Sequence, residues 1–232
     1  MPHPDPGPRR RRPPYDLDRL VSVSARVFGE RGYDGTSMAD LARATGLTKP
    51  ALYHHAEGKE HLLRLALERA VVPLVAIADE SLALPGRAAD RLRYLVTRQV
   101  GLMIEVRPYM SLLTSVRGNT ETGRWALKRR LAFEDTVTAL VAEAVDEQDL
   151  SPTTDPRLVG RLLCGMVDSI AQWHESPDGE DIARTDALQL ADAVIRLACA
   201  GLRAVPGSPG RGARPPQRRP APNELAVESS CD

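Results

Sequence analysis

The feature that most constrains this chain is an apolar repeat of helical period that runs from Leu17 to Leu202. In its first segment Leu20, Val27 and Phe28 fall on one face of a helix. No alternating apolar and polar stretch bounded by turn residues predicts a strand. Aromatic residues make up only 4% of the sequence, so the core has to be built mainly from Ala, Leu and Val. The pattern predicts an all-α fold.

Capping and turn residues divide this repeat into about nine helices. Gly32 stops the first helix, and Ser37 with Asp40 forms a capping box at the start of the second. Pro73 lies inside the fourth helix and predicts a kink there. The predicted helices span 17–31, 37–45, 49–55, 59–84, 88–105, 108–116, 121–147, 155–175 and 181–202.

The two ends of the chain differ from this repeat. Residues 1–14 and 204–232 are rich in Pro, Arg, Gly and Ser, which predicts a disordered basic arm and a disordered tail.

The longest apolar run, residues 70–78, is far shorter than the ~20 residues that cross a bilayer. No secretory signal is expected, and three cysteines without close spacing predict a reducing compartment, the cytoplasm.

Residues 37–55 predict two short helices about a tight glycine turn. Such a pair needs a small residue where the helices cross, a residue that tolerates positive φ in the turn, and an apolar residue on the second helix. Ala42, Gly46 and Leu52 occupy these places. The spacing therefore predicts a helix-turn-helix.

The outward face of the second of these helices indicates what the motif binds. Because Lys+Arg and Asp+Glu both number 31, attraction to nucleic acid has to come from a local patch. This face carries hydrogen-bonding, cationic and aromatic groups and no acid, which suits the major groove of double-stranded DNA. Its members are Thr48, Lys49, Pro50, Tyr53 and His54.

The stretch from Arg19 to Leu67 resembles the DNA-binding domain of the tetracycline-repressor (TetR) family. The resemblance rests on Phe28, on Gly32-Tyr33, on the Thr36-Ser37 start, on residues 46–49 and 52–55, and on Lys59-Glu60. It implies a DNA-binding domain over 15–58, a ligand-binding and dimerisation bundle over 59–203, and a repressor that a small molecule releases from DNA. One departure is Ala56, where the family mostly has a large aromatic residue. The residues that the resemblance places on DNA are Ser37, Thr48, Lys49, Tyr53, His54 and Lys59.

The segment 158–175 is similar to the subgroup of this family that senses acyl-coenzyme A esters. Nearby cations at 107, 117, 124 and 128–130 suit the anionic head of such a ligand beside an apolar pocket. The alternative is a regulator of an efflux pump whose effector is a lipophilic cation, for which Glu105 and Asp168 are the candidate buried carboxylates. The residues expected to wall the pocket are Met103, Tyr109, Met110, Leu113, Arg117, Trp125, Met166, Ser169 and Trp173.

The last two helices predict a homodimer, because their apolar faces exceed what one chain's core needs. The residues assigned to this interface are Leu158, Leu162, Met166, Ile170 and Trp173, with Leu188, Ala191, Ile195, Ala198 and Leu202.

Other functional classes find little support in the sequence. No HExxH, GxSxG, Walker A or GxGxxG motif is present, so we expect no enzyme and no cofactor. His54, His55 and His61 have no cysteine or carboxylate at ligand spacing, so no metal site is expected. A protein that coats DNA without regard to sequence is a further alternative.

Overall fold

The computed structural model describes residues 17–151, 155–171 and 187–202, with side chains described as far as residue 197. Within these ranges it contains nine helices and no strand, which confirms the all-α prediction. The helices are α1 (Leu17–Arg31), α2 (Met38–Thr45), α3 (Lys49–His55), α4 (Lys59–Ala83), α5 (Ala88–Glu105), α6 (Arg107–Ser115), α7 (Glu121–Asp146), α8 (Pro156–Ile170) and α9 (Ala187–Leu202).

Side-chain caps fix where several of these helices begin. The hydroxyl of Thr120 accepts a hydrogen bond of 2.9 Å from Gly123 N at the start of α7. The carboxylate of Asp155 accepts bonds from the N–H groups of Arg157 and Leu158 at the start of α8. Each cap satisfies N–H groups that a helix leaves unpaired in its first turn.

α4 is the element that joins the two parts of the chain. It packs against α1 on one side and against α5, α6 and α7 on the other. It continues through Pro73 to Ala83, so the proline does not end the helix. Because α6 also packs against α1, the N-terminal three helices rest on two elements of the C-terminal bundle.

The predicted end of α8 is wrong. The helix ends at Ile170 instead of Glu175, because the N–H of Ala171 bonds back to the Asp168 carbonyl and tightens the last turn. The predicted start of α9 at Asp181, like the arm 1–14 and the tail 204–232, lies outside the described residues.

The assignment of the dimer face also needs correction. Ile170, Ala191 and Ile195 are buried within the chain itself, so they belong to its own core. Trp173 and the side chains of Ala198 and Leu202 lie outside the described residues. The apolar side chains that do project outward from α8 and α9 are Leu158, Leu162, Leu188 and Leu197.

Among the described helices, none combines the length and the apolar character needed to cross a membrane.

Candidate nucleic-acid interface and effector cavity

The turn between α2 and α3 has the geometry that the sequence predicts. Gly46 adopts a left-handed conformation with φ of 71°, which glycine reaches without steric cost. Its N–H and that of Leu47 bond back to carbonyls at Arg43 and Ala42, closing the end of α2. Leu41, Ala42 and Leu52 are all buried beneath the turn. The crossing of α2 and α3 is therefore fixed by local chemistry.

The outward face of α3 is exposed in the described part of the chain. Thr48, Lys49, Pro50 and His54 are exposed, and Tyr53 has 53% of its surface accessible. The Thr48 hydroxyl accepts from Ala51 N at 3.4 Å as the cap of α3. A large aromatic side chain left in solvent beside a lysine and a histidine is typical of a surface that meets a partner.

Ser37 is also exposed, but its hydroxyl is engaged. It donates to the Asp40 carboxylate at 2.5 Å, while the N–H of Ser37 donates to the same carboxylate at 3.0 Å. These two bonds, with Arg43 beside them, lower the pKa of Asp40 to about 2. The predicted capping box is confirmed, because the Ser37 hydroxyl also accepts from the N–H of Asp40 at 3.2 Å, which leaves that hydroxyl one lone pair for a further contact.

Lys59 points toward the N-terminal domain. Its ammonium donates to the Tyr33 carbonyl at 2.9 Å and lies 4.0 Å from the centre of the Tyr33 ring. Lys59 thus ties the first turn of α4 to the turn between α1 and α2. Ala56 is buried between these elements, with 3% of its surface accessible.

A small cavity lies inside the C-terminal bundle, between α4, α5, α6, α7 and α8. Its volume is about 10 Å³, enough for about one water molecule. Leu74, Met110, Leu113 and Phe133 form an apolar wall. The other residues around it are Gln99, Thr114, Arg130, Glu134, Cys164 and Asp168.

Three of those lining residues are charged. The guanidinium of Arg130 on α7 donates to the Asp168 carboxylate on α8 at 2.6 Å, and its Nε lies 3.9 Å from Glu134. Burial raises the pKa of Asp168, while the charge and hydrogen bond of Arg130 oppose that rise. Burial likewise raises the pKa of the Cys164 thiol to about 12. The ion pair between Arg130 and Asp168 therefore links α7 to α8 at the wall of the cavity.

The expected pocket residues do not all meet at this cavity. Met110 and Leu113 line it, and Met103 is buried in the surrounding core. Tyr109 and Met166 are half-buried against that core, and Ser169 is exposed, its hydroxyl donating to the Met166 carbonyl.

The remaining expected residues lie elsewhere. The ring of Trp125 lies 3.7 Å beneath the guanidinium of Arg64, and Arg117 lines a separate cleft of about 440 Å³ beside the α1–α2 turn. Trp173 is outside the described residues. Glu105 is exposed, so the expectation that it is a buried carboxylate is wrong.

Gln99, Thr114 and Glu134 line the cavity although no sequence pattern predicts them there, and Arg130 lies in its wall, whereas the sequence predicts only that it is near the pocket. The i, i+4 spacing of Arg130 and Glu134 puts both on one face of a helix, which is a signal that was available. Their meeting with Asp168 depends on the packing of α7 against α8, which no local pattern specifies.

Comparison with known proteins covers both parts of the chain. The profile of the family "Bacterial regulatory proteins, tetR family" matches residues 20–66. The profile "Tetracyclin repressor-like, C-terminal domain" matches residues 85–202. The transcriptional repressor ComR of Escherichia coli K12 is 40% identical over 55 residues, which are 24% of this chain and 26% of ComR. That match therefore spans about a quarter of the length of the repressor.

Solved structures extend the similarity over most of the chain. The crystal structure of SCO3833, a TetR-family member from Streptomyces coelicolor A3, is 47% identical, with a TM-score of 0.71 over 79% of this chain and 90% of that one. AibR, solved with isovaleryl coenzyme A and operator DNA, has a TM-score of 0.61 at 24% identity, covering 78% of this chain and 96% of its own. At that identity the second match shows the fold alone.

Proposed function

The chain belongs to the TetR family of bacterial regulatory proteins, and on that basis we propose that it is a homodimeric repressor whose operator binding is controlled by a small molecule. The assigned units are a DNA-binding domain over residues 15–58 and a ligand-binding and dimerisation domain over 59–203. The single observation that carries the proposal is the outward face of α3, where Tyr53 and Lys49 are both exposed to solvent.

On this proposal α3 enters the major groove of an inverted-repeat operator. Tyr53 and His54 lie against bases or the adjoining backbone, and Lys49 and Lys59 contact phosphates, with Ser37, Thr48 and Pro50 at the edges of the contact. A two-fold dimer presents two such helices, so the half-sites lie in successive major grooves. The arginines at 9–12 precede α1 and suit the neighbouring backbone or minor groove.

The dimer is proposed to form through the outward faces of α8 and α9. Leu158 and Leu162 are each 57% accessible, and Leu188 and Leu197 are accessible to 65% and 71%. Four large apolar side chains in solvent on two neighbouring helices favour burial against a second copy. Sedimentation at micromolar concentration checks this, and a folded monomer would contradict it.

The proposed effector is an acyl-coenzyme A ester. AibR, a protein of similar fold, was solved with such a ligand and operator DNA. Exposed Arg124, Lys128 and Arg129 on α7 provide cations for the anionic head, and the apolar wall around Met110 and Leu113 suits the acyl group. Since the cavity holds about one water, binding has to separate the surrounding helices. We expect α4 to move with them and to carry Lys59 and α3 out of register with the same elements of the partner subunit. A coupling free energy of ~1–3 kcal/mol between ligand binding and DNA binding would relieve repression about 5- to 150-fold.

A lipophilic cation is the second candidate effector, and one observation favours it. Asp168 and Glu134 both line the cavity against a single Arg130, so the lining holds one more acidic than basic side chain. Titration of acyl-coenzyme A esters of several chain lengths against the DNA complex tests the first candidate. Release of DNA by a cationic drug, with no effect of any ester, would favour the second and exclude the first.

Competition for DNA tests the regulatory proposal. The protein is bound to a labelled duplex that carries an inverted repeat selected from random sequences, and the complex is challenged with excess unlabelled random DNA. We expect the specific complex to survive, and Lys59→Ala to weaken specific and random binding alike while reducing the salt slope by about one unit per site. Equal competition by random DNA would instead indicate a protein that coats DNA without regard to sequence.

A further inference from the structure

The first turn of α4 contacts both the N-terminal domain and the C-terminal bundle. Lys59 bonds to the Tyr33 carbonyl in the N-terminal domain at 2.9 Å. The adjacent Glu60 accepts a hydrogen bond of 3.1 Å from the backbone N–H of Thr122, in the first turn of α7. One helical turn therefore connects the helix-turn-helix unit to the start of α7.

The carboxylate of Glu60 acts as a cap for α7 from another part of the chain. The Thr120 hydroxyl caps the N–H of Gly123, and Glu60 takes the neighbouring N–H of Thr122. Bonds from the N–H and hydroxyl of Thr122 and from the Thr120 hydroxyl hold the pKa of Glu60 below its usual range. A negative charge at this end of a helix is favoured by the helix dipole.

The partner of Glu60 is itself held in place. A Cβ at Gly123 would lie 2.2 Å from the Arg117 carbonyl, so the loop before α7 crosses that helix at a distance that only glycine permits. The side chain of Thr122 is buried, and Asn119 of the same loop donates to the Asp34 carboxylate of the α1–α2 turn. The N–H of Thr122 is thus a fixed point on the C-terminal bundle.

The start of α4 has two local contacts, from the N–H of Glu57 to His61 Nδ1 at 3.3 Å and from Lys59 to Tyr33. Its N-cap is Gly58, and no side-chain hydrogen bond caps the helix there. Ala56, two residues before Gly58, has only a methyl side chain, so this side chain adds little contact area between α3 and α4. Glu60 is exposed overall, but its carboxylate supplies a contact to the start of α7.

We propose that Glu60 is a positioning residue for operator binding, which sets the orientation of the helix-turn-helix through its hydrogen bond to the N–H of Thr122. The inference rests on the proposed function, because it requires that two helix-turn-helix units read one operator. Orientation of each unit fixes the distance between the two α3 helices of a dimer. Loss of the contact should therefore reduce the preference for correctly spaced half-sites.

The test compares three variants on two duplexes. One duplex carries the selected operator, and the other carries the same half-sites with one base pair inserted at the centre. Glu60→Ala removes the acceptor, Glu60→Gln keeps an oxygen that can accept from Thr122, and Glu57→Ala is the matched control that removes a nearby exposed carboxylate. We expect Glu60→Ala to bind the operator about five- to tenfold more weakly and to discriminate less between the duplexes. Glu60→Gln and Glu57→Ala should keep the wild-type discrimination.

The outcomes separate the inference from the function beneath it. If the wild type does not prefer the operator to random DNA, the proposed function and this inference both fail. If the wild type prefers it and Glu60→Ala matches the wild type, only this inference fails. Equal weakening on both duplexes would indicate a structural role alone and would also overturn the inference. Hydrogen exchange adds a check without DNA, since the amide of Thr122 should exchange faster in Glu60→Ala than in Glu57→Ala.

Discussion

The N-terminal and C-terminal parts of this chain place their polar chemistry on opposite sides of their helices. In α1–α3 the core beneath the turn is mostly apolar, and the α3 side chains proposed to contact DNA stand in solvent. In α4–α9 an arginine and two carboxylates face inward around a cavity of about 10 Å³. The first arrangement suits a large partner that docks from outside. The second suits a small molecule that has to enter the bundle. The stability of the C-terminal bundle should therefore depend on the charges of these three side chains.

Neighbouring residues of α3 provide the first way to test this contrast. Leu52 is fully buried, whereas Tyr53 beside it is 53% accessible. Leu52→Ala should lower the free energy of unfolding by ~2–5 kcal/mol, because it leaves a cavity beneath the turn. Tyr53→Ala should leave stability nearly unchanged and weaken operator binding instead. Urea denaturation and DNA titration of both variants measure this, and similar stability losses in the two would break the contrast.

The buried thiol tests how closed the C-terminal interior is. Burial raises the pKa of Cys164 to about 12, so at pH 8 its thiolate should be scarcer than that of a free cysteine by roughly a thousandfold. With Cys199 and Cys231 replaced by Ser, modification by a thiol reagent should be slower by a similar factor and should accelerate in denaturant. Rapid modification of the native variant would show that the cavity opens readily.

The inward charge cluster gives a smaller, pH-dependent effect. Arg130→Gln removes the main cation beside Asp168, leaving a mostly buried carboxyl with Glu134 near it, and should cost about 1–3 kcal/mol at pH 7. A carboxyl whose folded pKa is raised favours folding at low pH and loses that contribution as pH rises. The stability lost through Arg130→Gln should therefore be smaller near pH 5 than at pH 7. Arg129→Gln, at an exposed position, is the matched control, and a pH-independent loss would contradict the assignment.

Sequence patterns predict the α2–α3 unit in more detail than the cavity of the C-terminal bundle, for a physical reason. The α2–α3 unit depends on contacts within a few residues, such as Ser37 with Asp40 and Gly46 with Ala42, so its bounds and caps follow from local patterns. The cavity depends on Arg130 meeting Asp168, 38 residues later in the chain. The tie between Glu60 and Thr122 spans 62 residues. Helical periodicity indicates which faces are apolar, but it does not determine which helix each face meets.

A hydroxyl-radical footprint on the selected operator tests the central claim, that two outward α3 faces read one symmetric DNA site. The account predicts two protected patches on one face of the duplex, related by a two-fold axis and about one helical turn apart. Tyr53→Ala should remove both patches at a protein concentration that protects them fully in the wild type. A single patch, continuous protection along the duplex, or unchanged patches in Tyr53→Ala would contradict the account.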